Sequence, residues 1–321
     1  MRPGDINNKS ILLSPLDWGM GHTTRCVALI RQLLEQKNEI VFAGNKSQIQ
    51  FVRREFSEIE TAELDGYNIT LDSSKSTYLQ MLRQKRKFKE AIRREKNWIE
   101  NFVTAHKTDL IVSDNRYGFR SDSVKSVILT HQLNLQVPFF RRLASVQIAR
   151  YVNQFDACWV PDTADHSLSG ELSTGKLKVP VHYIGWLCRF SKRNAETKFK
   201  RLLIVSGPEP ERTNFGNQML AILQNAPGRS AVVGIDGKGS ADLSYFPDPS
   251  STELGQLIAE SERVISRSGY TTLMEMASLE KTCVLIPTPG QFEQEYLAKF
   301  IRRQHIRFVQ ADQMESLSKL F

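Results

Sequence analysis

A glycine loop between the first predicted strand and the first predicted helix carries the side chains best suited to acid–base chemistry. Gly19 and Gly21 let the backbone turn tightly and approach a ligand, and the start of the following helix suits an anion. His22 stands at that helix start, where an imidazole can act as a general base near neutral pH. Arg25 adds a cation for substrate binding, and Asp17 is a rival base. The alternative interpretation is a tight turn capped by His22.

Further polar side chains follow two later predicted strands. Asp114 comes directly after the strand predicted at 109–113, as a third candidate base, an acceptor ligand or a cap of its own loop. His131 follows the strand predicted at 126–130. Ligands of parallel α/β sheets bind beyond the carboxyl ends of the strands, so these segments are expected to line a site.

A second helix start in the C-terminal half predicts a phosphate site. A Ser-Gly turn at Ser268 and Gly269 follows the strand predicted at 263–266, and Thr271 provides a first-turn donor. Glu275 lies one turn later, where a carboxylate can accept both hydroxyls of a ribose; complementing the helix dipole is the alternative. A Pro/Gly loop after the next strand delivers Gln291 and Gln294 to another helix start.

The segment from Ser266 to Ala298 resembles the donor-binding region of GT-B glycosyltransferases of family 28, and its pattern is similar to that of MurG-like N-acetylglucosaminyltransferases. The resemblance implies that a UDP-sugar donor binds the C-terminal half. Glu275 would bind the ribose, Gln291 and Gln294 would lie near the donor sugar, and Glu295 stands where the family has a second glutamine. We expect five further residues of this segment to bind the donor: Arg267, Ser268, Gly269, Tyr270 and Thr271. The last four would hold its diphosphate.

Two other segments carry the resemblance with departures. The N-terminal GxGHxxR is similar to the acceptor-side glycine loop of these transferases, and also to the GHxxR of UDP-sugar hydrolases, in which the equivalent of His22 is the proposed base. Ser206 and Gly207 stand where the family has a Gly-Gly-Ser loop near the phosphates. The prolines and acids that follow them leave fewer N–H groups for a phosphate.

The elements that must position these residues alternate between short β-branched runs and longer helical patterns, which is typical of parallel α/β sheets. The pattern breaks over 187–198, a polar stretch predicted to be a linker, and then restarts. We therefore predict an acceptor-side domain over 1–187 and a donor domain over 188–321. The resemblance implies the GT-B architecture, in which two Rossmann-like domains with parallel sheets face each other across a cleft.

Composition and charge indicate which partners and which cellular compartment to expect. The 321 residues include 43 Lys and Arg against 35 Asp and Glu, so the net charge of +8 favours anionic partners, whether nucleotide-sugar phosphates, phospholipid or nucleic acid, without choosing among them. The four cysteines show no CxxC spacing, which argues against a zinc cluster and fits a reducing compartment. We found neither a secretory leader nor an apolar run of roughly 18 residues. A cytoplasmic protein without a nucleic-acid partner is expected.

The predicted function is metal-independent transfer of a sugar from a UDP-sugar to a hydroxyl acceptor, with no cofactor. Three alternatives stay open: hydrolysis of the UDP-sugar, its 2-epimerisation, and non-catalytic binding of a nucleotide-sugar or polysaccharide. A lipid-linked acceptor is suggested by the basic helix at 83–96 and by two aromatics beside two arginines at 137–142. Such a surface would give weak peripheral contact with the inner face of a membrane, unless Phe139 and Phe140 start a buried helix.

Overall fold

The protein divides into two compact units, Met1–Leu187 (unit 1) and Cys188–Phe321 (unit 2). The computed structural model describes residues 1–67, 84–137, 141–310 and 313. Each unit is built on a parallel sheet with helical crossovers, the arrangement that alternating strand and helix patterns favour.

Unit 1 contains a seven-stranded sheet in the order β3-β2-β1-β4-β5-β6-β7. Its central strands are mostly apolar and are buried on both faces, as parallel strands between helical layers must be. The strands are β1 (Ser10–Pro15), β2 (Glu39–Gly44), β3 (Glu60–Glu63), β4 (Leu110–Asp114), β5 (Ser126–Leu129), β6 (Ala157–Val160) and β7 (Val181–Tyr183).

The first helix of unit 1 buries an apolar stripe that includes Val27, Ile30 and Leu33, all of which are fully buried. Among the described residues of this unit, the helices are α1 (Met20–Glu35), α2 (Lys46–Glu55), α3 (Lys85–Ala105) and α4 (Arg141–Val152), and short 3₁₀ turns cover Pro3–Asp5 and Gly170–Ser173.

Unit 2 contains a six-stranded sheet in the order β10-β9-β8-β11-β12-β13. Its core joins Leu203, Val232 and Ile265 of the central strands to Phe215 and Met219 of a covering helix. The strands are β8 (Phe199–Ile204), β9 (Ser230–Val233), β10 (Leu243–Phe246), β11 (Ser261–Arg267), β12 (Cys283–Ile286) and β13 (Ile306–Phe308). The helices are α5 (Glu211–Leu223), α6 (Ser251–Ala259), α7 (Tyr270–Leu279) and α8 (Phe292–Phe300).

The register of the unit 1 sheet explains why distant residues meet. Strands β1 and β4 are neighbours, with Ser14 opposite Ser113 and Pro15 opposite Asp114. The loop after β1 and the carboxyl end of β4 therefore share one edge of the sheet, which is where α/β proteins bind ligands.

The prediction of two parallel α/β units is confirmed, with differences at particular elements. Strands β7 and β10 were missed because each is an edge strand of three or four mostly half-buried residues with a weak apolar pattern. Ser261, predicted to end a helix, begins β11 instead. Residues 76–83 of a predicted helix, and Phe139 and Phe140, lie outside the described residues.

Candidate active site

The loop between β1 and α1 requires glycine at one position. Gly19 has φ +83°, a conformation that side chains other than glycine rarely adopt, and it is the cap residue of α1. A Cβ at Gly19 would have no neighbour within 4 Å. Gly19 and Gly21 are exposed, so the backbone at the start of α1 is open to a ligand.

His22 lies in the first turn of α1 and contacts Asp114 at the end of β4. The distance between His22 Nδ1 and Asp114 Oδ1 is 3.0 Å, and the two side chains are 18% and 0% exposed. When Nδ1 donates its proton to this carboxylate, the lone pair of Nε2 is left to accept a proton from a substrate. The pair thus has the geometry of an imidazole base oriented by a carboxylate.

Arg25, one helical turn after His22, is turned into the protein. Its Nε donates to Asp114 Oδ2 at 2.7 Å, its Nη2 donates to Asp114 Oδ1, and its side chain is 2% exposed. Burial alone would raise the pKa of Asp114, but Arg25 and His22 outweigh burial and hold that pKa well below its usual range. Asp114 is therefore a stable carboxylate suited to orienting His22, and a weak base on its own account.

Two more buried side chains complete this group. Arg25 Nη1 lies 3.3 Å from His131 Nδ1, and the thiol of Cys26 donates to Asp114 Oδ2 at 3.4 Å. We call His22, Arg25, Cys26, Asp114 and His131 the His22 cluster. It joins α1 to the carboxyl ends of β4 and β5.

Asp17 has a different set of partners from His22. Its Oδ1 accepts from the backbone N–H of Tyr67 at 3.2 Å. The hydroxyl of Tyr67 donates to the buried carboxylate of Glu95 at 2.6 Å, and Arg116 links Glu95 to the carbonyl of Pro15. Asp17 therefore anchors the glycine loop to Tyr67. No local sequence pattern indicated this network of partners.

In unit 2, the turn between β11 and α7 opens onto free space. Gly269 caps α7 with φ −63°, which any residue can adopt, and a Cβ placed there would meet no atom within 4 Å. The fold itself therefore does not demand glycine at this position. Space beside the first N–H groups of a helix is what an anion such as a phosphate needs.

Polar side chains join this turn to the loop after β12. Ser268 Oγ donates to Gln294 Oε1 at 3.4 Å, and the backbone N–H of Thr288 donates to the same oxygen at 2.8 Å. Gln294 Nε2 donates to Gln291 Oε1 at 2.6 Å. Glu295 instead accepts from the backbone of its own loop, at Gly290 N, 2.9 Å away.

The guanidinium of Arg267, the last residue of β11, contacts other residues of unit 2. Its guanidinium carbon lies 4.3 Å from the centroid of the Phe215 ring, and Nη1 donates to the Pro287 carbonyl at 3.1 Å. Glu211, at the start of α5, lies 3.7 Å away. Arg267 thus connects three elements around the β11–α7 turn.

Glu275 has a partner that the sequence analysis missed. Arg189 Nε donates to Glu275 Oε1 at 2.8 Å, and the two side chains are 11% and 6% exposed. Burial raises the pKa of Glu275, and Arg189 opposes that rise. The segment around Arg189 was predicted only to be a polar linker. Arg189 also lies over the ring of Phe190, with its guanidinium carbon 4.6 Å from the ring centroid.

In the loop between β8 and α5, an acidic side chain accepts a hydrogen bond from the start of α5. Ser206 and Gly207 are exposed, and Gly207 has φ +113°. The carboxylate of Glu209 accepts from the backbone N–H of Thr213 at 3.2 Å, so the chain's own acid occupies the start of α5. Fewer N–H groups are left there for a phosphate, as the sequence predicted.

Comparison with known protein families finds a match for one segment of the chain. Residues 236–321 match the glycosyltransferase family 28 C-terminal domain. The matched segment lies within unit 2. The match contains the β11–α7 turn and the loop after β12, and it confirms the resemblance described above. A search of curated protein sequences found no match.

Solved structures resemble the whole chain. The glycotransferase of kitacinnamycin has a TM-score of 0.61 at 14% identity, covering 99% of this chain and 90% of that one. UGT89C1 of Arabidopsis thaliana, complexed with UDP-L-rhamnose, has a TM-score of 0.64 at 11% identity, covering 98% and 89%. MurG of Acinetobacter baumannii has a TM-score of 0.55 at 14% identity, covering 97% and 89%. The predicted GT-B fold is therefore confirmed.

Proposed function

We propose that the protein transfers a sugar from a UDP-sugar donor to a hydroxyl acceptor. The observation that carries the proposal is the open helix start at Gly269 inside a family 28 glycosyltransferase domain. A structural neighbour, UGT89C1, is complexed with UDP-L-rhamnose, which supports a UDP-sugar as the donor class.

Unit 2 would bind the donor. The backbone N–H groups from Ser268 to Thr271, at the start of α7, would hold the diphosphate, and the positive end of α7 would stabilise the departing UDP without a metal ion. Glu275 would hold the ribose, with Arg189 keeping its carboxylate charged and oriented. The hydrogen-bonded pair of Gln291 and Gln294 would contact the donor sugar.

Unit 1 would supply the base. His22 Nε2 takes the proton of the acceptor hydroxyl while the acceptor oxygen forms its bond to the anomeric carbon of the donor. The bond between that carbon and the diphosphate oxygen breaks, and UDP leaves with the electron pair. Asp114 orients the ring of His22 by accepting from Nδ1, so that Nε2 faces the acceptor proton.

Hydrolysis of the UDP-sugar is the second candidate. The GxGHxxR segment resembles that of UDP-sugar hydrolases, and His22 is 18% exposed, so water can reach it. In this reaction water takes the place of the acceptor hydroxyl, and the other roles stay the same.

Release of UDP distinguishes the candidates. The full chain is incubated with each of several UDP-sugars, with and without a lipid or carbohydrate extract as a source of acceptors. Release that requires the extract supports the transferase, whereas release without it supports the hydrolase. His22→Ala should abolish either activity, and His106→Ala, on an exposed residue at the end of α3, is the matched control. UDP binding without turnover of any donor would contradict both candidates.

The acceptor that fits the surface of unit 1 is lipid-linked. Leu143 and Val146 on α4 are 65% and 50% exposed, and Arg142 and Arg150 flank them. Helix α3 lies alongside α4, as the contact between the rings of Phe88 and Tyr151 at 5.9 Å shows. Exposed basic residues of α3 extend the positive surface: Lys85, Arg86, Lys87, Lys89, Arg93 and Arg94.

An apolar helix face beside basic charge is suited to resting on an anionic bilayer. Among the described residues, no helix is long and apolar enough to cross a membrane. The proposed contact is therefore peripheral, with each basic residue contributing about 1 kcal/mol at low salt.

A further inference from the structure

Several elements bring charged or titratable side chains to His22. Helix α1 provides Arg25 and Cys26, strand β4 provides Asp114, and the segment after β5 provides His131. Asp17 lies in the loop before α1, but its carboxylate accepts from the backbone of Tyr67. Among the residues that the structure describes, the charges that contact the His22 ring directly are those of Asp114 and Arg25.

Both charges contact the same ring nitrogen. His22 Nδ1 lies 3.0 Å from Asp114 Oδ1 and 2.9 Å from Arg25 Nη2. A neutral imidazole can either donate from Nδ1 to the carboxylate or accept at Nδ1 from the guanidinium, but it cannot do both. An imidazolium keeps the first interaction and brings its own positive charge against Arg25.

The ion pair between Arg25 and Asp114 cancels the field that a lone carboxylate would exert. Arg25 contacts both oxygens of Asp114, through Nε and Nη2, and neither side chain is more than 2% exposed. Buried charges are weakly screened, so their effect on the adjacent ring is large. An unpaired Asp114 would favour the imidazolium, whereas the Asp114–Arg25 pair does not.

We propose that Arg25 is a positioning residue that keeps His22 uncharged, by neutralising Asp114 and by facing the ring with a second cation. The inference rests on the proposed function in that His22 acts as the base. Its consequence is that Nε2 of His22 keeps a lone pair to accept the acceptor proton. This role replaces the substrate contact expected for Arg25, whose guanidinium is buried.

The test is a pH titration of the His22 Cε1–H resonance by NMR, assigned from the peak that His22→Gln removes. Arg25→Met should raise the midpoint by about one pH unit or more, because a nearby like charge has been removed. Arg25→Lys retains the charge and should stay near the wild-type midpoint. Arg31→Met removes a cation from a partly exposed site on the same helix and is the matched control.

An unchanged or lowered midpoint in a folded Arg25→Met protein would overturn the inference. Should that variant fail to fold, Arg25→Gln gives the same test, since its amide can still donate to Asp114 while the positive charge is gone, and its midpoint should rise. An unchanged or lowered midpoint in a folded Arg25→Gln protein would equally contradict the role of Arg25. The titration needs no substrate, so failure of the inference is distinguishable from failure of UDP binding or turnover.

Discussion

Replacing Glu275 by alanine should weaken UDP binding through loss of a contact to the ribose. A hydrogen bond to a charged group contributes about 1.5–3 kcal/mol, which corresponds to about a 10- to 150-fold increase in Kd. Glu275 is 6% exposed and paired with Arg189, so solvent screening reduces this value little. Isothermal titration calorimetry with UDP measures the change.

The same substitution removes a partner of Arg189, and that effect must be separated from the ribose contact. Breaking a buried ion pair by deleting one member costs about 3–5 kcal/mol of stability, and the 11% exposure of Arg189 favours the lower end. Arg189→Ala breaks the same pair and leaves Glu275 in place. Glu280→Ala removes an exposed glutamate that pairs with Lys192 just beyond α7, and it is the matched control.

A ligand without ribose hydroxyls sharpens the assignment. The wild-type protein should bind 2′,3′-dideoxy-UDP more weakly than UDP, whereas Glu275→Ala should bind the two alike. Undiminished UDP affinity in a folded Glu275→Ala protein would refute the reasoning. So would an equal preference for UDP over the dideoxy ligand in both proteins, because the carboxylate would then not be what contacts the hydroxyls.

Four further outcomes follow from the geometry. His22→Ala should lower turnover by about 10²- to 10⁴-fold in a UDP-release assay, with calorimetry showing an unchanged Kd for UDP; unchanged turnover would remove His22 from the reaction. Gly269→Ala should cost less than about 1 kcal/mol in urea unfolding, since its Cβ meets no atom, yet it should weaken UDP binding; full affinity would place the phosphate elsewhere. The lowered pKa of Asp114 means that its ionised form stabilises the fold above the unfolded value of about 4, and that this stability is lost as the pH falls toward the folded pKa. Urea unfolding between pH 7 and pH 2 should therefore show a weaker pH dependence in Asp114→Asn than in wild type, and equal slopes would argue against the ion pair. The wild-type protein should sediment with anionic vesicles at low salt but not with neutral ones, and Leu143→Ser with Val146→Ser should reduce that binding; equal, negligible sedimentation with both vesicle types would favour an acceptor that is not membrane-bound.

Local sequence was sufficient for most of the fold. The apolar runs buried on both faces, such as Ile11 to Leu13, predicted the central strands. The helix start at Gly269 was also predicted, because the Ser-Gly turn lies between a buried strand and an apolar helix. Edge strands β7 and β10 escaped prediction, since a half-buried strand needs few apolar residues.

What the sequence by itself determined about this protein is therefore the order of strands and helices and the loops that carry its polar residues. Tertiary structure alone decided the partners of those residues. Arg25 and Asp114 are 89 positions apart, and Arg189 and Glu275 are 86 apart. The pairing of β1 with β4 brings the first couple to one sheet edge, and the packing of the linker on α7 joins the second. Such contacts depend on which strands and helices become neighbours in the fold. The local spacing of residue types does not encode that choice. Arg25, expected to touch substrate, consequently lies buried against Asp114.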